Sequence, residues 1–140
     1  MISTAHFHPM LVHFPIALVV FGFIADFATL YFKKEACLSK LGFYLLLAGT
    51  LMAALALTTG ALFTEEMSGA AGAIKDTHED FAWITLGLLI LTSILRIILQ
   101  KKENTRLKWT AFTLYGLAAV LVSITGYFGG TLVYNYMMPL

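Results

Sequence analysis

The sequence predicts an all-α protein, a single transmembrane four-helix up-down bundle with both termini on the outer side. Three observations lead there. Hydrophobic residues make up 59% of the 140 residues, charged residues only 12%, and the mean hydropathy is +0.83. A soluble domain carries about a quarter charged residues, so this chain cannot cover a water-facing surface. Four apolar stretches, each near the ~20 residues that cross a bilayer, are separated by short polar joints. In lipid the backbone must satisfy itself, so these stretches are helices.

Helix one is expected over residues 9–32. Its mouth is His6-Phe-His-Pro-Met-Leu-Val-His-Phe-Pro15, which holds three of the four histidines of the chain. Pro9 suits the first turn of a helix, with His8 at the cap and His13 in the second turn. Pro15 leaves the carbonyl of Leu11 without its helical donor and predicts a kink or loosened turn. The N-terminus has no basic stretch, so helix one is not read as a cleaved signal peptide. Helix two is expected over 41–63, closing on Thr59-Gly60. Helix three is expected over 78–100, with Asp76 or Thr77 as N-cap and Glu79 reaching back. Helix four is expected over 109–134 and carries Gly126, Gly129 and Gly130 near its end.

Orientation follows from the basic residues. Lys33, Lys34 and Lys40 lie between helices one and two, and Lys101, Lys102, Arg106 and Lys108 between three and four. The remaining joint carries Lys75 alone against Glu65, Glu66, Asp76, Glu79 and Asp80. Positive charge stays inside, so both basic joints face the cytoplasm. The expected location is a bacterial inner membrane. Tyr31, Phe32, Phe43 and Trp109 fit an inner aromatic belt, and Phe7, Trp83, Tyr127 and Tyr134 an outer one.

All four histidines then fall on the outer side, although only Lys and Arg entered the topology argument. His13 and His78 sit near the starts of two helices that run the same way, so their depths match. Two imidazoles from facing helices of a bundle are a common grip on haem iron. The expected ligands of a haem b are therefore His13 and His78, with His8 as a supporting or alternative ligand. His6 is read as an interfacial polar residue. Gly60, Gly126, Gly129 and Gly130 are expected to clear room for a flat macrocycle, although Gly126-x-x-x-Gly130 is also an ordinary packing spacing. Asp26 and Arg96 lie in the inner halves of helices one and three, where a lone ion is expensive, so they are expected to form a structural ion pair.

The alternative cofactor is copper or zinc. Met10, Met137 and Met138 offer thioethers on the same side, and Glu65 and Glu66 offer carboxylates. Cys37 is the one cysteine, which excludes an internal disulfide and any CxxC motif. A net charge of +1 argues against nucleic acid as a partner. No nucleophile–base arrangement, phosphate loop or catalytic carboxylate pair lies within the spans, so an enzyme acting alone is not expected.

Several motifs together resemble one family. They are His8-Pro-Met-Leu-Val-His-Phe-Pro-Ile-Ala-Leu18, Thr59-Gly60, His78 at the start of helix three, and Gly126-Tyr-Phe-Gly-Gly-Thr-Leu-Val-Tyr134. The chain is similar over nearly its whole length to a bacterial family of four-helix membrane domains of unknown function. The resemblance maps the family histidines onto His8, His13 and His78, with no counterpart for His6. Where the family pattern ends on a basic residue and His-Gly-Val, this chain has Asn135-Tyr-Met-Met. Some members resemble this domain fused to Rieske-type or c-type cytochrome modules, which implies electron transfer. The expected function is a b-type cytochrome-like electron-transfer protein that meets a quinone or a periplasmic redox protein. Its rivals are a non-haem metal protein and a non-catalytic subunit of a larger respiratory complex or homo-oligomer.

Overall fold

Proline chemistry shapes the first span. Helix α1 runs Phe7–Leu11 and α2 runs His13–Ala28, with one interruption at Val12. Pro15 has no N–H to offer the Leu11 carbonyl, so the regular bonding lapses there. The Val12 N–H still reaches the His8 carbonyl at 3.1 Å. Together α1 and α2 form one membrane-length span, Phe7–Ala28. The helix starts two residues before Pro9, so His8 is a helical residue and not the predicted cap. This computed structural model describes residues 7–32 and 35–136. His6, Lys33, Lys34, Met137 and Met138 lie outside the described residues.

The other spans are α3 over Ala36–Phe63, α4 over Gly69–Leu99 and α5 over Thr105–Tyr136. Each starts earlier than the sequence predicts, because hydropathy marks only the lipid-facing part of a helix. Good helix formers extend it beyond. The largest difference is in α4, where Gly69-Ala-Ala-Gly-Ala-Ile-Lys75 adds two turns. Asp76 and Thr77 are consequently inside the helix and are not caps. The Thr77 hydroxyl donates back to the Ala73 carbonyl at 2.8 Å. Extended Ser68 precedes this helix, and Gly69 at φ 65° makes the turn into it. Asn104 caps α5: its Oδ1 accepts the Leu107 N–H at 3.0 Å. Helix α2 ends at Ala28 rather than 32. Thr29, Leu30 and Tyr31 donate to carbonyls three residues back, which tightens the chain into a turn.

The consecutive pairs α2–α3 and α4–α5 pack most closely, and α2–α5 and α3–α4 close the ring. Glycine sets the α2–α3 approach: a Cβ on Gly42 would lie 3.0 Å from the Gly22 carbonyl oxygen. Between the helices lies a core of Val19, Leu46, Leu89, Tyr115, Ala118, Ala119 and Val122. Large apolar side chains also cover the outside, among them Phe21, Leu51, Ile84 and Val120. In water such a surface would aggregate, and in lipid it is ordinary solvent contact. Hydroxyls cross-link the helices at Thr50–Ser93, 2.9 Å, and Thr85–Thr125, 3.3 Å.

Candidate functional site

The two ends of the bundle hold different polar clusters. At the end reached by Ala28 and Leu99, Arg96 meets Asp26 through both of its terminal nitrogens. One bond joins Nη1 to Oδ2, and the other joins Nη2 to Oδ1 at 3.0 Å. Nη2 also donates to the Ser39 carbonyl at 3.3 Å. Beside them the Tyr115 hydroxyl donates to the Gly42 carbonyl at 3.2 Å. Both charged residues are buried, at 3% and 8% exposure. Among the described residues no buried side-chain nitrogen or oxygen lacks a partner, so this cluster is a closed structural one.

The other end carries histidines in place of the carboxylate, guanidinium and phenol, with the opposite result. His8 of α1 donates from Nδ1 to the Ala56 carbonyl of α3 at 2.9 Å. His78 of α4 donates from Nδ1 to the Thr125 carbonyl of α5 at 2.9 Å. A carbonyl can only accept, so each Nδ1 carries a hydrogen, and in the neutral ring each Nε2 then presents a lone pair. The two seats are alike. Four residues beyond each accepting carbonyl stands a glycine, Gly60 after Ala56 and Gly129 after Thr125. A Cβ on Gly60 would lie 3.0 Å from the His8 ring, and one on Gly129 would lie 3.1 Å from the His78 ring. A side chain at that position would lie over the carbonyl one turn back. Glycine leaves the carbonyl open to the imidazole.

The two rings are 6.1 Å apart between centroids and nearly perpendicular, at 80°. They line an internal cavity of about 520 Å³ that all of the helices border. Gly60, Gly126, Gly129 and Gly130 line it as well. Gly126 sits against the Ile16 side chain, while nothing comes within 4 Å of a Cβ on Gly130. His13 also borders the cavity but is exposed. The matching depths of His13 and His78 pointed to that pair, yet the rings in contact are His8 and His78. His8 sits on α3 ahead of the break at Val12, while His13, five residues on and about 140° around a helix, turns with α2.

Lys75 was missed from the sequence as a site residue. It is 6% exposed, borders the cavity, and bonds Glu66 at 3.2 Å and Glu79 at 2.9 Å. Its spacing from His78 was the available signal, since residues three apart share a helix face. Met10 is exposed at 59% and does not border the cavity. Among the described residues, no three or more His, Cys, Asp or Glu come together as a metal-ligand group.

Four apolar spans around an imidazole-bearing cavity define an integral membrane helical bundle. A family model described as "Predicted membrane protein (DUF2231)" matches residues 4–139, and the chain belongs to that family. No curated protein and no solved structure matches it.

Proposed function

We propose that the cavity binds a haem b, and that the protein is a membrane electron carrier. The observation that carries this reading is the pair of matched histidine seats. His8 and His78 each spend Nδ1 on a backbone carbonyl and keep Nε2 for a ligand, which is how metal-binding histidines are usually oriented. Two imidazoles that share one metal ion have centroids no more than about 6 Å apart, given metal–nitrogen bonds of about 2 Å. The observed 6.1 Å fits. A haem needs only two ligands from the protein, because the macrocycle supplies the rest. Bare zinc asks for three or four. Two neighbouring imidazoles with no third ligand among the described residues therefore favour haem over zinc or copper. The cavity volume of about 520 Å³ lies in the range of cofactor pockets.

In this reading His8 and His78 are the iron ligands, replacing the His13–His78 pair, and His13 stands at the rim. Glycines 60 and 129 seat the rings, while Gly126 accommodates the Ile16 side chain and Gly130 lines the cavity without a part in the seats. The bound haem would supply a one-electron couple. The basic joints support a site on the outer side of a bacterial inner membrane, within reach of a quinone or a periplasmic redox partner. The test is the absorbance spectrum of the purified protein, oxidised and dithionite-reduced. Soret and α bands are expected, and they should be lost in both His8→Ala and His78→Ala. Colourless protein that takes up no haem on reconstitution overturns the proposal.

A further inference from the structure

Resting on the haem reading, we infer that Lys75 is the anchor for a ligand carboxylate, and that Glu66 holds the place of that carboxylate until the ligand arrives. Lys75 is the one lysine or arginine bordering the cavity among the described residues. It stands three residues before His78 on the same face of α4, so a ligand held at the His78 ring would lie within reach of this ammonium. The Lys75 side chain is only 7% exposed. A buried ammonium is costly unless it is paired.

Its two partners differ. Glu79 lies one turn along the same helix at 2.9 Å. Glu66 comes from the stretch 64–68 between α3 and α4, borders the cavity, and is 91% exposed. Such an exposed carboxylate can return to water at little cost. A ligand carboxylate taking its place leaves the charge around Lys75 unchanged and removes no helix contact. The cavity thus selects a compound with an apolar body, a metal centre for two imidazoles, and an acidic edge. The two propionates of haem b meet that description.

Optical titration of the detergent-purified apoprotein with haemin and with haemin dimethyl ester tests this, because the ester keeps the iron and the ring but lacks the acids. K75M should weaken haemin binding about tenfold, the size of one charge-assisted hydrogen bond, and leave the ester unaffected. E66Q should tighten haemin binding, since the competing carboxylate is gone. K75M that binds haemin as well as wild type overturns the Lys75 assignment alone. So does K75M that weakens both compounds equally, which would mark Lys75 as a prop for the loop. E66Q that weakens haemin overturns the placeholder role. Wild type that takes up neither compound overturns this inference together with the haem reading.

Discussion

The two ends of the bundle use the same materials to opposite effect. At the Asp26–Arg96 end, glycine removes distance. Gly22 and Gly42 let α2 and α3 close until the carboxylate, the guanidinium and the Tyr115 hydroxyl all find partners. At the histidine end, glycine removes cover. Gly60 and Gly129 expose a carbonyl one turn back, and an imidazole docks there with one nitrogen unspent. The first end is closed by its own bonds, whereas at the second each Nε2 makes no hydrogen bond among the described residues.

The largest effects should come from breaking the finished end. Asp26→Ala leaves the Arg96 guanidinium buried without its counter-ion and should cost about 3–5 kcal/mol of stability. Thermal unfolding in detergent measures this. The paired replacement Asp26→Leu with Arg96→Met should recover most of the loss, because the pair's desolvation disappears along with its attraction. A double variant as unstable as Asp26→Ala would assign the pair more than structural closure. Gly42→Ala should come next, at about 1–3 kcal/mol, because its Cβ would meet the Asp26 Oδ1 at 2.9 Å and the Gly22 carbonyl at 3.0 Å. Both variants should leave the haem bands of the surviving folded protein intact, since they act at the far end.

Much of this architecture can be read before any coordinates. Four spans follow from composition, and the Asp26–Arg96 partnership follows because two lone charges fall near the same ends of two co-directed helices. The kink follows from Pro15 alone. What cannot be read is where that kink sends the chain. His8 and His13 lie about 140° apart around a helix, and sequence spacing does not say which of them meets His78. Helix starts such as Gly69 are also hidden, because hydropathy reports lipid contact and the projecting turns of α4 have little of it. Lys75 was counted only as a stray charge in an acidic joint. Its burial depends on Glu66 and Glu79 closing around it, and no local pattern announces that.

Smaller effects on stability should come from the histidine end, with a larger effect on binding. Gly60→Ala and Gly129→Ala place a Cβ 3.0 and 3.1 Å from the imidazoles, so each ring must shift. Each should cost about 1 kcal/mol and reduce haem uptake. Gly130→Ala meets nothing within 4 Å and should change neither. Equal behaviour of all three would mean that the glycines serve packing rather than the seats.

The smallest effect separates the two readings of the histidine motif. Position along a straight helix favours His13 as the partner of His78, whereas the kinked helix favours His8. His13 is exposed and makes no hydrogen bond among the described residues, so His13→Ala should change stability by less than about 0.5 kcal/mol. It should also keep the Soret and α bands that His8→Ala loses. If the bands vanish with His13→Ala and persist with His8→Ala, the turn at Val12 must straighten when the ligand enters. The 6.1 Å contact between His8 and His78 would then not be the ligand-binding arrangement.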